Sequence, residues 1–465
     1  MTSTKSPVSL ANFFIFNPTL GPREGEEHKK ILLYYPTDVD IDTKIKNIGL
    51  CEAIVNFTST FTDAPCEVMH TQKRRQVFYQ AEKNFWIVMT VTIPISHKTK
   101  DGVPYIEYHE DDVQDSVFQA VLKQAYKMFR FFMGPFSDIM DRGNVQSLIQ
   151  RLEHFYYRYL PTLKLDNSDI LDVFNGIHFL PLDKHTYLRI QSFTNLLEAT
   201  FSQIKYTAFL YNDQLVWSGL EQDDMRTMYK YLTTSLFPPF LEQELQGSPV
   251  ANNDRRGSSV ATLHYGRYIN GPPNMSDSSN LGKVPRVYIN TESTCEECHL
   301  VVYRALSATV CLLVDASYPL QFDFYRSIDG LVGPKLSVLA SDISEQYVKR
   351  STPSTGEVQF KYIYFNHMNL AQKTTVHTDS KKSSNVNIPA DILRLLSDIN
   401  SDLSRNVDEG ETIVKSITDC WVVGKKSDQR EFYVVINQKN ANLIEINEEV
   451  KRLCATNFNN IFFLD

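Results

Sequence analysis

The chain has no long hydrophobic run, no excess of positive charge and few cysteines. Its 465 residues contain 47 Lys and Arg against 55 Asp and Glu, which gives a formal net charge of −8. This charge disfavours a nucleic-acid-binding protein that works through overall positive charge. No apolar stretch reaches the roughly 18 residues that a membrane-spanning helix needs. The 7 cysteines are scattered and odd in number, and the polar start Met1–Leu10 does not resemble a signal peptide, so we expect reduced thiols and a soluble cytoplasmic protein.

The common motifs of catalysis are also missing. The sequence contains no G-x-G-x-x-G, no G-x-S-x-G and no H-E-x-x-H. The segment nearest to a phosphate-binding loop, Asp419–Lys426, has Asp419 in place of the first glycine and Lys426 where a Ser or Thr should reach Mg²⁺. We therefore expect no catalytic residue and no cofactor, and nothing in the sequence favours a nucleophilic triad.

One motif has the spacing of a chemical site. Cys295-Glu296-Glu297-Cys298-His299 matches the C-x-x-C-H pattern of covalent haem attachment. Covalent haem is usually attached outside the cytosol, and a zinc site would need a further ligand that no second cysteine pair provides. We interpret the two cysteines as part of a turn before a strand that begins at His299. Haem, zinc and redox roles are the less favoured alternatives, and we expect no metal.

The composition is otherwise that of a globular protein. Hydrophobic residues make up 42% of the chain, with 28 Phe and 24 Tyr, and charged residues make up 22%. These values exclude fully disordered, collagenous and coiled-coil chains. At about 150 residues per domain, the length predicts about three domains, with enough apolar area for a core in each.

The first segment alternates strand and helix signals. Its predicted elements are strands at Asn12–Phe16 and Lys30–Tyr35, a helix at Val39–Thr58, strands at Arg75–Gln80 and Asn84–Ile95, and a small third strand near Val103–Tyr108. Two amphipathic helices follow. Asp111 and Asp112 lie where the N-terminus of the first of them favours negative charge.

A similar order of elements recurs twice. In the second segment we predict a helix at Glu221–Leu236 that ends at Pro238-Pro239, and a flexible insertion at Gly247–Gly282 that is rich in Gly, Ser, Asn and Pro. In the third segment a helix with Pro389 in its first turn lies between strands. The chain therefore reads as three α/β domains, each an antiparallel sheet with helices on its faces, at residues 1–163, 168–348 (with the insertion at about 243–283) and 355–465.

One loop differs from ordinary connections between strands. Residues 17–30 contain Pro18, Gly21, Pro22 and Gly25, followed by a run of charges of both signs. Prolines and glycines give such a loop a defined shape, and surface loops on a rigid scaffold often carry binding residues. A docking site and a plain polar loop are equally good interpretations of this segment.

The same stretch resembles a known family. Phe13–Leu32, with the core Asn17-Pro18-Thr19-Leu20-Gly21-Pro22-Arg23-Glu24-Gly25-Glu26-Glu27, resembles the start of the Ccz (calcium-caffeine-zinc sensitivity) vacuolar fusion proteins of animals. Later in the chain the resemblance lies in the layout of domains and in the total length. It implies an α/β fold of three longin domains, each an antiparallel five-stranded sheet sandwiched by helices.

The resemblance implies partners rather than covalent chemistry. Members of the family pair with the Mon (monensin-sensitivity) protein, and the heterodimer is a guanine-nucleotide exchange factor for a late-endosomal, Rab-seven type GTPase. In animals a third, propeller-containing regulatory subunit joins, and the complex is recruited peripherally from the cytoplasm to endosomal and lysosomal membranes. No nucleic acid is implied as a partner. A trafficking scaffold or tether without exchange activity remains the alternative function.

The resemblance places the interface with Mon or the GTPase on the first domain. The loop residues that we assign to it are Asn17, Pro18, Gly21, Pro22, Arg23, Glu24 and Gly25. The helix residues are Lys44, Asn47 and Glu52, which we expect on the exposed side of the helix, together with Ile48. For each residue taken singly, simple exposure to solvent is an equally good interpretation.

Overall fold

The computed structural model describes residues 5–100, 103–246, 265–290, 295–350, 360–377, 388–405 and 409–458. The chain divides into two compact units. One consists of Met1–Phe174, Val386–Asp428 and Phe432–Asp465, and the other of Asn175–Asn385 and Gln429–Glu431. Residues 247–264 of the predicted insertion lie outside the described residues.

The first part of the chain folds into a five-stranded antiparallel sheet. Its elements are β1 (Leu10–Phe16), β2 (Ile31–Tyr35), α1 (Ile41–Ser59), β3 (Val68–His70), β4 (Arg74–Glu82) and β5 (Phe85–Thr92). The strand order is β2-β1-β5-β4-β3, and Phe14 of β1 lies opposite Tyr34 of β2 and Val88 of β5. The predicted strands and helix of this region are confirmed, whereas the short edge strand β3 was not predicted.

The strand expected near Val103–Tyr108 belongs to a separate sheet. β6 (Ile95–Lys100) and β7 (Val103–Tyr108) pair with each other in a two-stranded antiparallel hairpin. The predicted strand near Val103–Tyr108 is therefore confirmed, but it does not join the five-stranded sheet as the repeated order of elements had indicated. Pro94 has no backbone N–H to continue the ladder and separates β5 from β6, while β3 takes the edge position beside β4.

Helices cover both faces of the first sheet. The helices after the hairpin are α2 (Asp115–Met133), α3 (Phe136–Arg142), α4 (Val145–Tyr159) and α5 (Ile170–Phe174). Phe13 and Ile15 of β1 lie in the core beneath α2 and α4, whereas Phe14 and Phe16 lie in the core beneath α1. This alternation follows from the two-residue period of a strand, and it leaves α1 as the cover of one whole face.

The second unit contains a six-stranded sheet with the same topology. Its elements are α6 (Lys184–Thr200), β8 (Ile204–Tyr211), β9 (Gln214–Ser218), α7 (Gln222–Tyr231), α8 (Phe237–Gln246), β10 (Gly266–Asn270), β11 (Arg286–Asn290), β12 (Cys295–Ala305), β13 (Ala308–Asp315) and α9 (Phe322–Arg350). The order is β10-β12-β13-β8-β9, and β11 also pairs with β12. Counted along the chain, this is the order of the first sheet, with two strands sharing the third position. α6 and α9 pack against one face of this sheet.

Two predictions for the second unit are wrong. The helix does not end at Pro238-Pro239, because the π-helical segment Leu232–Leu236 leads directly into α8. Both prolines lie near the start of α8, just after the π-helical segment. Residues Gly266–Asn270, which fall inside the predicted flexible insertion, form strand β10 and pair with β12.

The turn predicted for the cysteine motif is also wrong. Cys295 and Cys298 both lie on strand β12, opposite Asn290 and Asp315 respectively. Residues three apart on a strand point to opposite faces of the sheet, so the two thiols do not converge on one ligand. Burial raises the pKa of Cys298 to about 12, which keeps this thiol protonated near neutral pH.

The last part of the chain contributes to both units. Its elements are β14 (Phe360–Asn366), β15 (Ala371–Thr374), α10 (Ala390–Ser404), β16 (Glu409–Lys415), β17 (Trp421–Ser427), β18 (Arg430–Ile436) and α11 (Leu443–Phe458). In the second unit β14 pairs with β15, and in the first unit β16 pairs with β17, both antiparallel. A Cβ on Gly424 of β17 would lie 2.4 Å from Ile399 of α10. The close packing of α10 on β17 therefore depends on glycine at this position.

An ion pair joins α10 to the first part of the chain within the first unit. Arg394 Nη1 of α10 donates to Asp112 Oδ1 at 2.6 Å. Asp111 and Asp112 lie in a 3-10 turn, Glu110–Asp112, just before α2, and the acidic residue in the first turn of α2 is Asp115. The carboxylate of Asp112 also forms an ion pair with Lys5, so it holds two cationic side chains beside the start of α2.

Candidate protein-binding surface

Asn17 shapes the loop between β1 and β2. Its backbone N–H donates to Lys30 O at 3.0 Å and closes the loop. Its side-chain Oδ1 accepts hydrogen bonds from Thr19 N at 2.9 Å and from Thr19 Oγ1 at 2.6 Å, and the residue is 2% exposed. Asn17, which we had expected at an interface, is thus a buried residue that holds the turn.

Gly21 is required by the geometry of the same loop. It has φ +59°, and a Cβ at this position would lie 2.3 Å from Glu26 O. Lys29 Nζ pairs with Glu26 Oε1 at 2.6 Å, and Glu27–Lys30 form a 3-10 turn that leads into β2. The loop therefore has a defined conformation before any partner binds.

The tip of the loop faces solvent. Its exposed residues are Thr19, Pro22, Arg23, Glu24 and Gly25, and Pro18 and Gly21 are half-buried. Arg23 and Glu24 present opposite charges side by side, which suits a polar contact at the rim of an interface. Their role in binding stays a prediction.

Lys44, Asn47 and Glu52 do not lie on the exposed side of α1, contrary to our expectation. All three are half-buried and engage the preceding strand region. Glu52 accepts from Lys30 Nζ at 2.8 and 2.9 Å. Asn47 Nδ2 donates to Tyr34 Oη at 2.7 Å, and Lys44 Nζ lies 5.5 Å from the centroid of the same tyrosine ring. These side chains join α1 to β2 and to the end of the loop.

Ile48 lies deeper still. It is 2% exposed and packs in the core beneath α1 together with Cys51 and Trp86. Burial raises the pKa of Cys51 to about 12 and also raises the pKa of Tyr34, against a smaller opposing effect of the Asn47 hydrogen bond. The core around Ile48 and Cys51 is thus closely packed, and the charged Lys44 and Glu52 lie at its margin.

The outer side of α1 carries a second apolar row that the sequence analysis did not single out. Leu50 is 53% exposed and Phe57 66% exposed, with the half-buried Ile54 between them. These positions are four and seven residues apart and so lie on one face of a helix. Phe61, 75% exposed just beyond the helix, places its ring 5.0 Å from that of Phe57. We call Leu50, Ile54, Phe57 and Phe61 the outer row.

The outer row suits binding rather than chemistry. Exposed apolar patches on a soluble domain often mark sites of protein interaction, and a helix face with this spacing can dock into an apolar groove of a partner. Across the described ranges, no group of three or more His, Cys, Asp or Glu residues is arranged to hold a metal ion.

Comparison with known proteins decides the family. The model of the first longin domain of INTU, CCZ1 and HPS4 matches residues 10–134, and the models of Intu longin-like domains 2 and 3 match residues 204–333 and 356–453. A vacuolar fusion protein CCZ1 homolog of Nematostella vectensis is 56% identical over 100% of both chains, and one of Danio rerio is 56% identical over 98% of this chain and 96% of its own. The homolog of Dictyostelium discoideum is 30% identical over 98% of each chain. The chain belongs to the CCZ1 family of vacuolar fusion proteins.

Membership of the CCZ1 family agrees with the resemblance found in the loop after β1. The predicted fold of three longin-like α/β domains is confirmed by the three matches along the chain. Both the loop and the outer row lie within the first match, which ends at residue 134. No helix in the described part of this CCZ1 family member combines the length and the apolar character needed to cross a bilayer.

Proposed function

We propose that this chain is one subunit of a heterodimeric guanine-nucleotide exchange factor, which pairs with a Mon protein and activates a Rab-seven type GTPase in late-endosomal traffic. The observation that carries the proposal is the outer row of α1, in the first longin domain of a CCZ1 family member. The relatives from Nematostella vectensis and Danio rerio are named for vacuolar fusion, which supports a role in membrane traffic.

Nucleotide exchange needs a binding surface and no catalytic side chain. A small GTPase holds its nucleotide through P-loop amides, a lysine and Mg²⁺. A factor that binds the nucleotide-free GTPase more tightly than the loaded form weakens nucleotide binding by the same factor, because the two equilibria are linked. A chain with a shaped loop and an exposed apolar helix face can act in this way without a nucleophile or a metal.

The predicted interface residues take two roles in this proposal. Arg23 and Glu24, at the exposed tip of the loop, contact the Mon protein or the GTPase. Lys44, Asn47 and Glu52 act as positioning residues, because their hydrogen bonds and ion pairs hold α1 against β2. The direct apolar contacts come from the outer row.

The remaining parts of the proposal concern the assembly. Residues 1–163 form the platform for the GTPase and the Mon protein, and the domains at 168–348 and 355–465 serve further contacts, including a propeller-containing third subunit. Recruitment from the cytoplasm to endosomal and lysosomal membranes is peripheral and takes place as the complex.

Release of fluorescent GDP from a Rab-seven type GTPase tests this function. The release rate is measured with the full chain alone, with the co-purified Mon complex, and with the complex carrying Leu50→Ser and Phe57→Ser. The matched control replaces two other exposed aliphatics of the first unit, Ile417→Ser and Ile444→Ser, which are 103% and 71% exposed. We expect the complex to accelerate release and the outer-row variant to lose about tenfold or more of that acceleration, as expected when interface anchors are removed.

The outcomes separate exchange from tethering. If a well-formed complex does not accelerate release, the exchange proposal fails and a non-exchanging scaffold or tether becomes the better account. If the complex is active but the outer-row variant matches the control, then the exchange site lies elsewhere on the heterodimer.

A further inference from the structure

The hairpin of β6 and β7 is anchored at one end only. At its base Ser96 is 4% exposed, and its Oγ contacts His109 Nε2 at 2.8 Å and Glu107 Oε2 at 3.2 Å. The backbone of Ile95 also exchanges hydrogen bonds with Ser6, at 2.8 Å to Ser6 Oγ and at 2.9 Å from Ser6 N. Beyond this base the side chains face solvent. A two-stranded ribbon on its own is marginally stable in water, so an exposed outer half suggests a binding role.

In the outer half of the hairpin, apolar side chains lie on one strand and polar side chains on the other. β7 carries a continuous apolar segment, and its exposed members are Val103 (65%), Pro104, Tyr105 (41%) and Ile106 (47%). β6 is polar over the same length, with exposed Lys98, Thr99 and Lys100. The register places Lys98 opposite Tyr105 and Lys100 opposite Val103. One edge of the ribbon is therefore apolar and the other edge is basic.

This separation fits the layered structure of a membrane surface. Neighbouring strands lie about 4.8 Å apart. If β6 lies at the membrane surface, β7 therefore lies about one strand spacing deeper, close to the depth of interfacial elements, roughly 5–10 Å. Tyrosine prefers the headgroup level, and a lysine can keep its ammonium group at the surface while its methylene chain lies against apolar groups. A bilayer orders polar and apolar groups by depth. A groove on a protein partner imposes no such order, so the separation seen here favours a membrane.

The charges set the kind of membrane affinity to expect. Glu107 Oε2 pairs with Lys98 Nζ at 2.6 Å, so the carboxylate at the base is compensated. Asp101, which lies outside the described residues, brings the formal charge of residues 95–108 to zero: two lysines against Asp101 and Glu107. Lys98 is engaged by this ion pair, so Lys100 is the lysine of β6 that we expect to approach lipid phosphates. Binding should therefore rest on apolar insertion, with a modest gain from anionic lipid.

We propose that the exposed strand residues Lys98–Lys100 and Val103–Ile106 form a membrane-insertion element, which places the β7 edge in the headgroup layer of a phospholipid bilayer with Lys100 at the phosphates. The proposal is independent of the exchange activity, because the hairpin and the outer row of α1 share no residue. It assigns a direct lipid contact to this chain itself.

Sedimentation with vesicles tests the proposal on the full chain. The vesicles consist of phosphatidylcholine alone or of phosphatidylcholine with phosphatidylserine. Val103→Ser combined with Ile106→Ser should weaken partition into both by about tenfold or more. Lys100→Gln should act mainly on the vesicles that contain phosphatidylserine. The matched control is Ile417→Ser with Ile444→Ser, which removes two exposed aliphatic side chains outside the hairpin and the outer row and should leave partition unchanged.

A second measurement reports on depth and separates lipid from protein binding. Tyr105→Trp adds an indole to the 3 native tryptophans, and brominated phosphatidylcholine should quench the added fluorescence. In the exchange assay in solution, the hairpin variant should keep full activity while the outer-row variant loses it. The proposal is overturned if wild type and hairpin variant partition equally into vesicles, or if the added indole of the Tyr105→Trp variant is not quenched. Loss of Mon binding by the hairpin variant with unchanged vesicle partition identifies a protein-docking element instead.

Discussion

Ile48 and Leu50, two residues apart on α1, should respond very differently to truncation. Ile48 is 2% exposed and packs against the first sheet, whereas Leu50 is 53% exposed. Replacing a buried Ile with Ala removes apolar contacts and leaves a cavity, which costs about 2–5 kcal/mol. The same truncation at an exposed position changes stability by about 0.5 kcal/mol or less. We therefore expect Ile48→Ala to be strongly destabilising and Leu50→Ala to be nearly neutral.

Trp86 provides a local probe for this comparison. It lies in the same core as Ile48 and is 7% exposed, so its fluorescence should change when this core opens. A local probe is needed because a chain of two units need not unfold in one step. Hydrogen exchange of the α1 amides gives an independent measure of the same opening.

Equal destabilisation by the two substitutions would contradict this orientation of α1. If Leu50→Ala lowers the unfolding midpoint at Trp86 as much as Ile48→Ala does, then α1 is rotated from the orientation described here, and the outer row is core. If Leu50→Ala is neutral but reduces pairing with the Mon protein, the two sides of α1 have separate roles.

Three further predictions test the packing and the electrostatics. Gly424→Val should destabilise the first unit by about 1–3 kcal/mol, since its side chain would overlap α10, and a lower thermal midpoint would show this. Glu82→Gln should cost about 1–3 kcal/mol, because the carboxylate accepts two backbone N–H groups at the start of α3 and a tyrosine hydroxyl; urea unfolding measures the loss. Hydrogen bonds from Ser317 lower the pKa of Asp315 from its ordinary 3.8 to about 2, so its stabilising effect is present above about pH 4 and is lost as the pH falls towards 2. Asp315→Asn should flatten acid unfolding of the second unit in that range.

The strands and helices with clear periodicity could be predicted from the sequence. The alternation of Phe13 to Phe16 and the helical spacing in α1 each reflect burial on one side, which is a local pattern. The missed edge strand β3 has three residues and is too short to show a period. β10 lies in a Gly- and Ser-rich stretch, and its strand conformation comes from pairing with β12, a contact that no local window contains.

A shaped loop could be predicted from the sequence, but the contacts of the helix side chains beside it could not. The Asn17–Gly25 segment stood out by its prolines and glycines, and the structure shows that Gly21 is required by a close approach to Glu26. The side chains of Lys44, Asn47 and Glu52 look like solvent-facing groups in a helical pattern. Their partners, Tyr34 and Lys30, come from another element, so the pattern of the helix alone could not place them.

The outer row shows why an interface can be found only after the core is known. α1 carries apolar residues at helical spacing on two sides, and periodicity treats both as candidates for burial. The first sheet can cover only one side of the helix, and it takes Ile48 and Cys51. Leu50 and Phe57 are then apolar groups without a core to join. An exposed apolar row lowers solubility and brings no benefit to a protein that acts as a monomer. Its presence therefore favours a protein that binds a partner through this face.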